Sequence, residues 1–153
     1  MARDDGTSRT RMIRNAGVES ASPGEPVAAT QEGLAASRIQ EIANAMHVSR
    51  AHLLRMLKLP RAAIGRKIRR GAMLSAAQAE RVMGLEQLIG QVATMVENSG
   101  NPRGFEAARW VSEWLEQPVS ALGGATPADF MDTVAGQSLV SNLLERSRAG
   151  VFA

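Results

Sequence analysis

The chain has 153 residues, 44% of them apolar and 3% aromatic, with no Cys and two His, which suffices for a core and excludes a disulfide scaffold, a thiolate metal centre and a Cys nucleophile. Its net charge of +3 is uneven: 13 basic against 7 acidic residues over 1–80, and 5 against 8 over 81–153. A basic half joined to an acidic half suggests two different partners. No apolar run approaches the ~20 residues of a membrane span. Met1 to Thr10 is polar and lacks the apolar stretch of a secretory signal. No membrane role and a cytoplasmic location are therefore expected.

In chain order, residues 1–33 mix Gly, Ser, Pro, Thr and charges without an apolar period, so a tail that is disordered, or ordered only by a partner, is expected. Residues 34–74 read as a helix-turn-helix region. A first helix is predicted from about Leu34 to Met46, with Ile39, Ile42, Ala43 and Met46 on one face. A second opens after Ser49 as N-cap and turns Leu53, Leu54 and Leu57 inward. Pro60 then breaks it or opens the next, and a third helix from about Arg61 to Arg70 ends at Gly71.

Residues 75–153 read as a second helical domain. Ser75 and Gln78 have the spacing of a capping box, and an apolar stripe from Val82 through Leu85, Leu88, Ile89, Val92 and Met95 to Val96 carries a long helix to about Glu97. Asn101-Pro102 has the form of an N-cap and first helical residue, opening a fifth helix with Phe105, Ala108, Val111, Trp114 and Leu115 on one side. Ala121 to Gly124 reads as a tight loop, and Thr126-Pro127 caps a short helix ending near Thr133. A last helix, about Gln137 to Arg148, is expected to bury Leu139, Val140, Leu143 and Leu144 and to stop at Gly150, leaving Val151-Phe152-Ala153 as an apolar tail. The expected class is an all-α helical bundle with an N-terminal helix-turn-helix.

The strongest chemical signal is basic. Eight Lys or Arg and no Asp or Glu lie between Arg50 and Arg70. Two helix-turn-helix registers fit: first with second helix, with Ala43 as the small packing residue, or second with third, turning through Lys58-Leu59-Pro60. The later register is favoured because it puts Arg61, Arg66, Lys67, Arg69 and Arg70 on or beside the recognition helix, where they neutralise phosphates or pair with guanine. Neither turn has the usual Gly; His47 or Lys58 stands there. The bland alternative is a solvated basic face. Both histidines lack metal-ligand or catalytic partners at suitable spacing and read as structural. Trp110 and Trp114, at i and i+4, read as core packing or as one interface anchor. No nucleophile elbow, phosphate loop or zinc-protease motif occurs, so neither catalysis nor a cofactor is expected.

The second half resembles the toxin-binding domain of the Xre/MbcA/ParS antitoxin family. The resemblance rests on Val82-Met83-Gly84-Leu85, Trp114-Leu115, the string Pro118 to Gly124, Thr126-Pro127, Gly136 and the ending Arg148-Ala149-Gly150-Val151-Phe152-Ala153. Upstream, Leu57 to Pro60, Ile64 and Arg69-Arg70-Gly71 are similar to the family's turn segment, with Lys58 and Pro60 replacing Gly and Ser. The resemblance implies a non-enzymatic type II antitoxin of a RES-domain toxin that either degrades NAD or transfers ADP-ribose. It further implies operator binding and a homodimer within a toxin–antitoxin hetero-oligomer. The expected toxin-binding residues are Leu122, Gly123, Gly124, Arg148, Gly150, Val151, Phe152 and Ala153. In this scheme the last six residues plug the toxin's pocket, with Phe152 as anchor, the terminal carboxylate meeting an Arg that otherwise holds NAD phosphate, and the Ala121–Gly124 loop and the last helix as the supporting surface; the bland alternative is that Val151 and Phe152 fold back onto the last helix. A free-standing helix-turn-helix transcription regulator is the alternative; it shares the basic helices and needs no toxin. A helical adaptor is a third possibility and predicts no salt-sensitive DNA binding.

Overall fold

A computed structural model describes residues 33–152, with side chains through Ser147. The expected tail lies outside the described residues apart from Gly33, as does Ala153. Six α-helices occur among the described residues: α1 (Arg38–Met46), α2 (Arg50–Met56), α3 (Arg61–Arg70), α4 (Ala76–Asn98), α5 (Ala107–Leu115) and α6 (Val134–Phe152). Two 3-10 turns, Ser120–Leu122 and Pro127–Phe130, link α5 to α6. The class is all-α, as expected. No described helix is long and apolar enough to cross a membrane.

The first three helices end alike. His47 N–H donates to Asn44 O and Val48 N–H to Ala43 O; Lys58 N–H to Arg55 O and Leu59 N–H to Leu54 O; Gly71 N–H to Ile68 O and Ala72 N–H to Lys67 O. Each pair is a Schellman closure, which needs a left-handed residue just past the helix. His47, Lys58 and Gly71 supply it with φ of 60, 55 and 65°. Gly adopts that backbone freely, whereas a residue with a Cβ does so at about 1–2 kcal/mol.

The starts follow the sequence too. Ser49 Oγ accepts from His52 N–H at 3.1 Å. Ser75 Oγ accepts from Gln78 N–H at 3.2 Å while Gln78 Oε1 accepts from Ser75 N–H at 2.9 Å, a complete capping box. Ala36 N–H to Ala72 O (3.0 Å) and Leu74 N–H to Leu34 O (2.8 Å) clasp the two ends of the three-helix unit together.

One core runs through the residues from Leu34 onward, which form a single compact unit. It joins Ile39 and Met46 (α1), Leu53 and Leu54 (α2), Ile64 (α3), Val82 and Leu85 (α4), Val111 and Leu115 (α5), Met131, and Val140 and Leu144 (α6). Each large aliphatic side chain buried this way contributes about 1.5–3 kcal/mol. The sequence boundary at 74/75 falls inside this core, between buried Leu74 and buried Ala79. α6 lies tight against α4 at Gly84, where a Cβ would overlap the Gln137 amide. That amide donates to Met131 O at 3.1 Å and Glu80 O at 3.4 Å. Farther along, Ser141 Oγ donates to Gln91 Oε1 at 2.8 Å.

Several expected boundaries are corrected. α1 begins at Arg38, because the clasp ties Leu34 and Ala36 to Leu74 and Ala72 and the chain turns at Ala36-Ser37 before the helix opens. Asn101-Pro102 does not open α5. Gly104 turns left-handed (φ 71°) and Phe105 N–H reaches back to Pro102 O, so the segment is a turn and α5 starts at Ala107. Phe105 is consequently exposed rather than on the inward face of α5. The turn after Thr126 ends at Phe130, short of Thr133. α6 begins at Val134, three residues before the expected Gln137. Leu139, expected in the core, is 43% exposed. Gly150 does not stop α6, whose backbone stays helical through Phe152. A lone Gly between Ala149 and Val151 costs a helix only about 1 kcal/mol relative to Ala.

Candidate functional site

Part of the charge asymmetry is taken up within the molecule. Arg38 donates to Glu86 at 2.9 Å, His47 pairs with Glu106 at 3.1 Å, His52 with Glu116, and Lys58 with Asp132 at 3.4 Å. In each of these pairs the basic side chain comes from the helix-turn-helix region and the carboxylate from α4 or beyond. The hydrogen bond to Glu86 pushes the Arg38 pKa above its ordinary value, so this cation stays charged in any folded protein. Pairs this exposed add little stability; their effect is to occupy the acidic groups. The acidic half is therefore in part a seat for the basic half, which narrows the two-partner expectation.

The histidines bracket α5, His47 at its first-turn end and His52 at its last. Arg55 Nη2 donates to His52 Nδ1 at 3.1 Å. Arginine can only donate, so Nδ1 is the accepting nitrogen and the proton sits on Nε2, toward Glu116. A cleft of about 230 Å3 between α2 and residues 126–129 is lined by His52, Met56, Glu116, Thr126 and Ala128, among others. The outer side of α2 thus faces the rest of the molecule.

α3 is placed differently. Ile64 and Gly65 are buried, and Arg61, Arg66, Arg69 and Arg70 are exposed. None of these four arginines has a carboxylate at ion-pair distance among the described residues. Lys67, expected beside them, is half-buried and donates to Gln78 Oε1 at 2.8 Å, which ties α3 to the cap of α4. The structure therefore leaves four of the five candidate DNA-binding residues without an ion-pair partner among the described residues and gives the fifth a hydrogen bond within the fold. An open basic helix is the physical requirement for reading duplex DNA, and α3 meets it better than α2.

Between α5 and α6, Ser120 to Ala125 closes tightly, Val119 N–H donating to Ala125 O and Gly124 N–H to Val119 O, both at 3.0 Å. Gly123 and Gly124 have φ of 67 and 89°, which accounts for both glycines by backbone geometry alone. Both are exposed, whereas Leu122 is half-buried. Asp129 Oδ2 accepts from Thr126 N–H at 3.2 Å, fixing the following turn. Trp110 and Trp114 stack with centroids 5.9 Å apart; Trp114 packs on the core and Trp110 is exposed. The backbone of α6 carries Arg148, Gly150, Val151 and Phe152, whose side chains lie outside the described set.

Residues 103–150 match the model of the antitoxin Xre/MbcA/ParS C-terminal toxin-binding domain, and residues 25–85 match the antitoxin Xre-like helix-turn-helix domain. The chain is also 41% identical, over 133 residues, to the Prs ADP-ribosylating antitoxin of Sphingobium sp. (strain YBL2), covering 87% of this chain and 84% of that relative. The chain belongs to the Xre/MbcA/ParS antitoxin family. It is an antitoxin of a toxin–antitoxin system, with a helix-turn-helix and a toxin as partner.

The two matched segments of this antitoxin meet in one core, the first ending within α4 and the second spanning α5 through most of α6. Sequence reasoning missed the seats of the histidines. His47 and Glu106 are 59 residues apart, and nothing in local spacing couples them. The one available signal was that a Glu stands at each end of the α5 apolar stripe. The Gly84–Gln137 approach was equally hidden, although Gly84 lies within the Val82–Leu85 string that marks the family.

Proposed function

We propose that this antitoxin silences a RES-domain toxin that consumes NAD by ADP-ribosyl transfer, and that it does so by binding rather than by catalysis. The observation that carries the proposal is its kinship with the Prs ADP-ribosylating antitoxin across the toxin-binding segment. That relative's name favours ADP-ribosyl transfer over simple NAD breakdown. In the proposal, residues Arg148 to Ala153 enter the toxin's active site with Phe152 as the buried anchor, and the Leu122–Gly124 loop supports the contact. Continuation of α6 to Phe152 supports such a plug, since a segment ordered in advance loses less entropy on insertion.

The second part of the proposal is autorepression. Arg61, Arg66, Arg69 and Arg70 on the open face of α3 contact operator phosphates and bases, and Lys67 holds α3 against α4. A homodimer within a larger toxin–antitoxin assembly presents two such helices to a two-fold operator.

The test is ADP-ribosyl transfer to Prs by the antitoxin's cognate RES-domain toxin, titrated with the antitoxin. Turnover is expected to vanish at a fixed stoichiometric ratio. A variant lacking Gly150 to Ala153 is expected to bind the toxin without inhibiting it. Full inhibition by that variant overturns the plug, and turnover insensitive to the intact chain overturns the pairing.

A further inference from the structure

The turn between α2 and α3 is held by a side chain from another helix. Arg81 of α4 donates through Nη1 to Lys58 O at 2.8 Å and to Leu57 O at 3.4 Å. Among the described residues no backbone N–H reaches either carbonyl, because the closure of α2 uses those of Leu53, Leu54 and Arg55. Carbonyls at a helix C-terminus lack partners of their own and carry its negative pole. A guanidinium nitrogen with two hydrogens can serve both. Lys58 is also the left-handed residue of this turn, with φ 55°. Arg81 therefore acts where the chain changes direction into α3.

Three residues earlier on α4, Gln78 Oε1 accepts from Lys67 Nζ at 2.8 Å. Residues i and i+3 share one face of a helix. The first turns of α4 thus hold α3 twice, at its entry through Arg81 and at its middle through Gln78. Buried Leu59 and Ile64 fix how deep α3 sits. Apolar contact is non-directional, so it constrains depth more than tilt. α3 has 10 residues and is about 15 Å long, so a tilt of about 10° at the turn moves its far end by roughly 2.6 Å. Hydrogen bonds from Arg69 and Arg70 to DNA tolerate only a few tenths of an ångström.

We infer that Arg81 is a positioning residue of the DNA-binding site: it fixes the angle at which α3 meets duplex DNA without touching the DNA itself. The inference rests on the proposed operator binding by α3 and deepens it. Arg81 is half-buried and directs its hydrogen bonds inward to the turn, whereas Arg61, Arg66, Arg69 and Arg70 are exposed. It lies within residues 25–85, the segment matched to the helix-turn-helix domain, although α4 runs on beyond it. The bond to Lys58 O is exposed, so water takes over that carbonyl when the guanidinium is removed and the fold persists. What is lost is the fixed angle.

The experiment compares the unaltered full chain with Arg81→Met, which keeps the apolar stem, and Arg81→Lys, which keeps a donor for the turn. The probe is a DNA duplex from the promoter of the antitoxin's own operon, titrated at several salt concentrations. Affinity for the cognate toxin and melting temperature are recorded alongside. Arg81→Met is expected to weaken operator binding roughly tenfold, the worth of one hydrogen bond to a charged group. The slope of log affinity against log salt and the toxin affinity are expected to stay as they were. Arg81→Lys is expected to recover part of the loss. Unchanged operator affinity of Arg81→Met overturns the inference, as does an Arg81→Lys variant equally weak. A slope lowered by about 0.9 also overturns it, since that marks a direct phosphate contact. So does an equal loss of operator and toxin affinity, which marks a general loosening of the fold. If the unaltered chain leaves the duplex unbound, the proposed autorepression falls, and the inference with it.

Discussion

His47 and Lys58 occupy the same backbone position as Gly71, and only Gly71 does so without cost. What the other two gain is a side chain that reaches across the molecule, to Glu106 and Asp132. Both of those contacts are exposed, and exposed pairs are worth less than a left-handed backbone costs. His47→Gly and Lys58→Gly are each expected to stabilise the protein by roughly 0.5–1 kcal/mol, read from urea unfolding. A loss of stability would show that the links to the second half outweigh the backbone term. Two other glycines behave oppositely. A Cβ at Gly136 would overlap the Phe130 carbonyl oxygen, which is backbone and cannot swing aside. Gly136→Ala is expected to destabilise by about 1–3 kcal/mol, the usual range for overpacking. Gly84→Ala meets the end of the Gln137 side chain, which can swing aside at the loss of its hydrogen bonds to Met131 O and Glu80 O, so its effect should be smaller in the same measurement.

At the scale of single helices, α3 is the testable element. If its arginines contact phosphates, each one removed lowers the slope of log affinity against log salt by about 0.9. Arg66→Ala, Arg69→Ala and Arg70→Ala together are therefore expected to flatten that slope by roughly 2–3, measured by mobility shift on operator DNA at several salt concentrations. Lys67→Ala should change the slope less and the melting temperature more, because Lys67 is bonded to Gln78. Helix existence and caps were legible in the sequence, since Ser49, Ser75-Gln78 and Gly71 act on groups within a few residues. Three features were not legible. Asn101-Pro102 has the form of a helix start, but Gly104 overrides it. Leu139 adjoins Val140 in sequence, and only the seating of α6 on α4 decides which of the two faces inward. Gly150 has the form of a helix stop, yet a single Gly lacks the energy to impose one. Of the candidate site, the arginines of α3 could be named from the charge run, whereas the pairing that leaves them without a carboxylate among the described residues is tertiary.

Across the whole molecule, the helix-turn-helix and the toxin-binding segment share one core. Leu115 belongs to α5 and Leu53 to α2, and both are fully buried in the same cluster. Unfolding of residues 34–153 is therefore expected as one cooperative transition, with fluorescence of Trp110 and Trp114 and far-ultraviolet circular dichroism giving the same midpoint. Leu115→Ala should cost about 2–5 kcal/mol and, near its lowered melting temperature, weaken DNA and toxin binding together. Separate midpoints for the two probes would mean that the two halves unfold independently despite the shared core.

That shared core also bears on how the protein is lost in a cell. A protease that attacks the open chain acts on a population set by global unfolding. With the two halves expected to open together, a single cut on the open chain ends both activities. On the proposed function, derepression of the operon and release of the toxin then begin in the same event, and the interval before fresh antitoxin arrives is set by synthesis alone.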